Sequence, residues 1–345
     1  MYFRRRGVNM AYVKKSKKND PSYRKKRSKK GMTPAVTTLR YKMNYSPTGV
    51  TRYVDVMRDL SKVNRRLYRQ GMQVAIGGIT VISDNVETTG PAIDFQVRTA
   101  GNTWVTQNAW VKGYSLWREM QKEVLEDNPS VQGKWADYKI YLTEDQAFAN
   151  TLVNLDGIGG NYPGNEWSIS QYVVPQHDVD PATGQVLPAE EWVAALCGPD
   201  DVPNKRFSLI KAYEESRATV QDVAPNVPAQ LPTSFYLRLT DDGSQDPELA
   251  AIIEDENDQP PYSQVDGDYP GSSGFTVNAS LTLQHREVIN AYQPNAHIGS
   301  FVANCGLIQL NARDISKSEE SGEIEILIHL VPGNYHGILA ERMGQ

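Results

Sequence analysis

The first 32 residues constrain this chain most, because they are the stretch least able to fold. Arg4, Arg5, Arg6, Lys14, Lys15, Lys17, Lys18, Arg24, Lys25, Lys26, Arg27, Lys29 and Lys30 stand there against a single acid, Asp20. So few apolar side chains cannot offset an ordering entropy of about 1–2 kcal/mol per residue, so the tract is expected to be a disordered polycation. The whole chain holds 36 basic and 41 acidic residues; 13 and 1 of them lie in the tract, which leaves 23 and 40 for the remainder. A pI near 5.7 conceals a strongly basic arm on an acidic body.

The natural partner of such an arm is a polyphosphate, because each Lys or Arg that neutralises a phosphate releases condensed counterions. Tyr2, Phe3, Tyr12 and Tyr23 are interspersed with the charges and suit stacking on unpaired bases. The cluster Lys25-Lys26-Arg27-Ser28-Lys29-Lys30 also has the composition of a nuclear-import signal, a second use compatible with the first.

At 345 residues the chain has room for one large all-β domain or two ordinary ones. Cys197 and Cys305 are too far apart in sequence for a CxxC pair, so they are read as buried thiols rather than a zinc module or disulfide framework. No run reaches the eighteen or so apolar residues of a membrane span, and the N-terminus lacks the apolar core of a signal peptide; a soluble product of a reducing compartment, with no membrane insertion, is expected.

Beyond the arm, residues 33–46 read as a transition, still basic at Arg40 and Lys42, with Gly31 and Pro34 opposing regular structure. The arm and linker are therefore assigned to 1–45 and the folded domain to 46–345. Val56, Leu60, Val63 and Leu67 then fall at helical spacing, with Arg58, Lys62, Arg65, Arg66 and Arg69 off that stripe and Gly71 as the stop. This predicts an amphipathic helix whose basic side forms a second element facing nucleic acid. From Met72 the period becomes two: Gln73–Ser83 is rich in Val and Ile around Gly77-Gly78, and Ile93, Phe95 and Val97 alternate with polar residues. Between Asn108 and Glu126 helical spacing returns, with Trp110, Tyr114, Trp117 and Met120 as a core-facing stripe and Asn108 as the cap.

The remainder reads as strands between long polar loops. Tyr138, Ile140 and Leu142 alternate, as do Phe235, Leu237 and Leu239, then Phe275 to Leu283; Trp167–Val174 and Arg206–Tyr213 are weaker, and Phe301–Leu310 and Ile324–Leu330 complete the set. About nine strands with one or two helices in the first third predict an all-β fold: a single eight-stranded antiparallel jelly roll, two sheets face to face.

From Asp241 to Asp268 ten acids (Asp241, Asp242, Asp246, Glu248, Glu254, Asp255, Glu256, Asp258, Asp266, Asp268) meet no base. Such a loop is expected to point away from the nucleic acid held by the arm. A calcium site at Asp255, Asp258, Asp266 and Asp268 is the alternative, without EF-hand spacing to support it. Enzyme signatures are missing: Gly133-Lys134 is followed by Trp135 rather than Ser or Thr, and there is no HExxH, GxSxG or His-x-His. His177, His285, His297, His329 and His336 stand singly, and the Asp178/Asp180 and Asp266/Asp268 pairs sit where turns are shaped. No catalytic residue, metal ligand or cofactor site is assigned.

Particular strings carry a family likeness. The runs Leu60-Ser61-Lys62-Val63-Asn64-Arg65-Arg66-Leu67-Tyr68-Arg69-Gln70-Gly71-Met72 and Asn102-Thr103-Trp104-Val105-Thr106-Gln107-Asn108-Ala109-Trp110 resemble capsid proteins of circular Rep-encoding single-stranded DNA (CRESS-DNA) viruses. So do Pro260-Pro261-Tyr262 with Tyr269-Pro270-Gly271, and the ending Val331-Pro332-Gly333-Asn334-Tyr335-His336-Gly337-Ile338-Leu339-Ala340. The resemblance implies a jelly-roll subunit, an arm directed into the shell, and a small icosahedral T=1 particle of sixty copies around circular single-stranded DNA. It also implies residence in the virion and, during assembly, the host nucleus, with host receptor and import machinery as further partners. This chain departs from the family's arginine-rich arm by using much lysine, which weakens bidentate phosphate contacts and keeps the point charge. Read from charge alone, the alternative is a non-viral or accessory DNA-binding protein with a β-sandwich interaction domain; a jelly-roll lectin is a third reading that leaves the arm unexplained.

Overall fold

The computed structural model describes residues 34–83, 91–131, 133, 137–148, 150–164, 166–174, 185, 189–213, 280–290, 292–316 and 321–344. The thirteen basic residues of the arm, the 241–268 loop, the Phe235–Leu239 candidate and most of the Phe275–Leu283 candidate lie outside the described residues. The elements before the long insertion are β1 (Thr38–Tyr45), β2 (Val50–Asp55), α1 (Val56–Asn64), β3 (Met72–Ser83) and β4 (Ile93–Thr99). The insertion holds α2 (Trp104–Asp127), β5 (Gln171–Val174), β6 (Glu190–Ala195) and β7 (Arg206–Ser208). Then come β8 (Thr282–Ile289), β9 (Asn295–Ile298), β10 (Phe301–Asn304), β11 (Leu307–Asp314) and β12 (Gly322–Leu330), and the short β13 (Pro332–Gly333), β14 (Gly337–Ile338) and β15 (Ala340–Arg342).

One sheet runs β1-β12-β3-β10, with β9 and β15 also paired to β3, and the other runs β2-β11-β4-β8; every pairing in both is antiparallel. Along the chain β1 to β4 alternate between the sheets, β8 stays in the second, β9 and β10 return to the first, and β11 and β12 alternate again. This is the jelly-roll path, and the fold is an all-β sandwich. Leu39, Tyr41, Val74, Ile79, Phe95, Leu310, Ile326 and Ile328 are among the side chains that fill the space between the sheets. A smaller core beneath α2 joins Trp110, Tyr138, Leu196, Leu209 and Leu307 to the mixed sheet β5-β6-β7.

Several boundaries differ from expectation. Residues assigned to the linker form β1: Leu39, Tyr41, Met43 and Tyr45 are buried while Thr38, Lys42 and Asn44 are exposed, a period of two that Pro34, lying outside the strand, does not interrupt. The folded body therefore begins before residue 46. Helix α1 ends at Asn64, not Gly71, because Arg65 takes the left-handed conformation (φ 52°). Helix α2 starts four residues before Asn108, capped by Thr103, whose hydroxyl accepts the Thr106 N–H at 3.2 Å. Tyr138, Ile140 and Leu142 are buried but form no strand. Side chains share in satisfying that backbone: Ile140 N–H donates to Gln70 Oε1 and Leu142 N–H to Gln146 Oε1, each at 2.6 Å, while Tyr141 N–H donates to the Ala194 carbonyl at 3.1 Å. The Trp167–Val174 and Arg206–Tyr213 candidates shrink to β5 and β7, residues 209–213 being helical.

The single strand expected over Phe301–Leu310 is two strands in opposite sheets. Cys305 (φ 57°) and Gly306 (φ 65°) make a tight corner between β10 and β11, and the Gly306 carbonyl accepts the Val56 N–H at 2.9 Å, tying the corner to the start of α1. A Cβ at Gly306 would stand 3.1 Å from Met57 Cγ and 3.4 Å from Val74 Cγ2, which together with positive φ explains glycine there.

Candidate nucleic-acid interface

The body's predicted basic contacts divide sharply once their partners are seen. On β1, Arg40 forms two parallel hydrogen bonds to the Glu325 carboxylate of β12, and Lys42 pairs with Glu323 at 3.0 Å. On α1, Arg58 and Lys62 both turn to Asp59, a carboxylate with no solvent exposure, at 2.9 and 3.4 Å. Arg58 also donates to the Leu152 carbonyl, and Tyr41 donates its hydroxyl to Asp59 at 2.8 Å. Arg69 pairs with Asp137 at 3.1 Å. Arg65 and Arg66 are exposed and form no ion pair with any described residue. Of the five basic residues on and after α1, these two are the ones without a carboxylate partner among the described residues; Arg69 is exposed as well.

Helix α1 begins at Asp55, whose Oδ1 accepts the Arg58 N–H at 3.0 Å as an N-cap. Its Oδ2 accepts from Trp167 Nε1 at 2.9 Å and from Gln70 Nε2 at 3.2 Å. Burial nevertheless pushes this carboxyl up to about 6, against the pull of Arg58 and the three donors. The same burial lowers Lys62, helped by Arg58 beside it, and lowers Lys139. Lys139 Nζ stands 5.0 Å from the centre of the Trp167 ring.

Arg58, Lys62, Lys139 and Trp167 line a cleft of about 1260 Å³ between α1, the second half of α2 and the 163–173 segment. Trp117, Met120 and Val124 line it from α2, Pro163, Trp167 and Val173 from the segment. Its cations Arg58, Lys62, Arg65 and Lys139 are set against Glu123, Asp137 and Glu166. The cleft is thus mainly apolar and electrically mixed, without the single-sign field that concentrates a polyanion. Part of this was legible in the sequence, since Asp59 lies next to Arg58 and three residues before Lys62, a spacing at which helix side chains pair.

No group of three or more His, Cys, Asp or Glu side chains able to hold a metal ion occurs among the described residues. Both cysteines are buried; burial pushes the Cys197 thiol up to about 12 and Cys305 upward as well, so neither is an activated nucleophile. Two of the histidines read as isolated are brought together: His329 Nε2 and His297 Nδ1 lie 3.2 and 3.3 Å from the Thr80 hydroxyl, across β12, β3 and β9. Only strand register joins them, so nothing in their spacing marked the pair. No protein-family model, curated protein or solved structure matches this chain.

Proposed function

We propose that this protein is a viral capsid subunit that assembles into a small closed shell, sixty copies in a T=1 arrangement, and packages single-stranded DNA through its basic N-terminal arm. One observation carries the reading: thirteen basic residues against one acid precede a jelly-roll body in which Arg40, Lys42, Arg58, Lys62 and Arg69, five of its seven expected phosphate contacts, are paired with carboxylates. Charge available for phosphate is concentrated in the arm, with Arg65 and Arg66 as its extension on the body. The path of β1 to β12 suits shell building, because two sheets packed face to face form the core between them and leave loops and helices to contact neighbours. Binding by the arm is sequence-independent, so the genome is selected by availability rather than by base readout. The Lys25–Lys30 cluster serves nuclear entry before assembly.

The reading is tested by purifying the full chain with single-stranded DNA and imaging it by negative stain while titrating salt. Closed hollow particles of uniform size are expected. With a slope of about −0.7 per phosphate contact, five contacts per subunit cost over a hundredfold in affinity for a roughly fourfold rise in salt. A dimer or monomer that binds DNA without forming particles would assign the chain to the accessory DNA-binding class instead.

A further inference from the structure

All the residues of α2 that are fully buried, Val105, Thr106, Ala109, Trp110 and Gly113, fall in its first ten positions. The second half carries Trp117, Met120 and Val124 at spacings of three and four; Trp117 and Met120 pack against the core beneath the helix, as their spacing predicts, and also line the cleft described above, which Val124 joins from outside that core. Val124 is 52% exposed, and Val173 across the cleft is 50% exposed. An apolar seam of this kind, in a cleft larger than the roughly 300–1,000 Å³ of small-molecule pockets, suits a segment of polypeptide.

The same body presents a segment of matching character. Ile158, at 94%, is the most exposed large hydrophobic side chain among the described residues. It stands at the tip of the turn Asp156-Gly157-Ile158-Gly159-Gly160, which is closed by its own hydrogen bonds. Asp156 Oδ1 accepts the N–H groups of Ile158 (3.0 Å) and Gly160 (2.8 Å), and Asp156 N–H donates to the Gly160 carbonyl at 2.7 Å. Leu155 N–H donates to the Arg40 carbonyl at 2.7 Å, fixing the base of the turn to β1. A Cβ placed on Gly157 or Gly159 would meet nothing within 4 Å, so the turn stands clear on both sides. Order is thus imposed on a segment that covers no surface of its own chain, and the entropy of fixing it is spent before any partner arrives.

We propose that the Ile158 turn of one copy inserts into the cleft beside α1 of a second copy. Charge agrees with the fit: the turn brings the Asp156 carboxylate, and the cleft offers Arg65, which has no ion pair with any described residue, beside Lys62. Each copy carries both the turn and the cleft, so two copies can exchange turns reciprocally or pass the contact from copy to copy, closing into a ring where the rotation allows. This deepens the assembly reading, on which it rests, by naming the surfaces that meet.

The test uses the full chain, with Ile158→Asp on the turn and Val124→Glu in the cleft, both at exposed positions. Circular dichroism and thermal unfolding are expected to stay at wild-type values. In sedimentation velocity across a concentration series, each variant is expected to need at least about tenfold more protein to associate, the cost of an unburied isoleucine or valine. The double variant is expected to be no worse than either single, because both remove one contact. Oxidised mixtures of Ile158→Cys and Val124→Cys chains are expected to cross-link as mixed dimers. If the wild-type chain assembles and Ile158→Asp assembles equally well, or if Val124→Glu weakens only DNA binding, the docking inference is overturned and the assembly reading stands. If the wild-type chain stays monomeric at every concentration, with and without DNA, both are overturned.

Discussion

At Asp59 a carboxylate without solvent exposure meets Arg58, Lys62 and the Tyr41 hydroxyl. Removing one member of such a buried set leaves the others desolvated and unpaired, so Asp59→Ala is expected to cost about 3–5 kcal/mol in urea unfolding; a loss under about 1 kcal/mol would contradict the network. Asp55, one turn earlier, sets a pH dependence. Burial raises its pKa from the ordinary 3.8 to about 6, so between those values the folded chain binds the proton more tightly than the unfolded chain. Stability from this group therefore falls as pH rises from about 4 to 6, and below about 4 its penalty is absent. Asp55→Asn keeps an oxygen for the cap and cannot titrate; its urea midpoint is expected to lack that downward component. Equal slopes for both proteins across the window would count against it. Glu325 works in the opposite sense: its hydrogen bond to Arg40 holds the carboxyl below the ordinary 4.5, a gain present above that value and lost as pH falls. Exposure keeps that gain small. Partner geometry also separates residues that look equivalent in sequence. Reversal of Arg66, which unlike Arg65 does not line the cleft, to Glu is expected to lower bound single-stranded DNA in a filter assay while leaving thermal stability within about 0.5 kcal/mol of wild type. Reversal of Arg58 is expected to unfold the body.

Elements take their places from a few local devices, and the corner at Cys305-Gly306 is the sharpest. It moves the chain from one sheet to the other over two residues with positive φ, against Met57 and Val74. Gly306→Val is expected to lower stability by about 2–3 kcal/mol, through a β-branched side chain in the left-handed region and the displaced Met57, as read from the shift in thermal midpoint. A change under about 0.5 kcal/mol would mean that the corner is not strained by a side chain. The strands themselves were largely legible: Gln73–Ser83, Ile93–Val97 and Ile324–Leu330 carry the alternation that two face-to-face sheets require. The corner was not legible, because an apolar run reads the same whether it stays in one sheet or changes sheet. Strand β1 was present as Leu39, Tyr41, Met43 and Tyr45, yet Arg40 and Lys42 between them looked like the end of the basic arm. Their partners Glu325 and Glu323 lie almost three hundred residues away. Tyr138, Ile140 and Leu142 came close to a strand: burial of alternate side chains was correct and Tyr141 makes one bridge to Ala195, but Gln70, Gln146 and Ser170 take the neighbouring N–H groups that would have extended a ladder. The two tryptophan-bearing walls of the cleft came from a helix read correctly as aromatic on one side and a segment read as a weak strand; nothing local showed that they meet.

For the whole molecule the central quantity is charge. Sixty arms at a net of about +12 each would bring on the order of 720 positive charges to a genome that carries one negative charge per nucleotide. Of the body residues expected to contact phosphate, Arg40, Lys42, Arg58, Lys62 and Arg69 add little to that sum, because they are matched by acids within the fold. Packaging is therefore expected to depend on the arm, whereas subunit contacts depend on the body. The most direct measurement is two-wavelength sedimentation velocity of the full chain and of a chain beginning at Thr33, each mixed with single-stranded DNA at low salt. The account predicts that full-length protein and DNA sediment together as one closed particle, that about 1 M salt releases the DNA, and that the shortened chain folds while its DNA stays at the free position. A shortened chain that carries DNA at the full-length ratio, or a full-length chain that binds DNA only as a monomer, would contradict it.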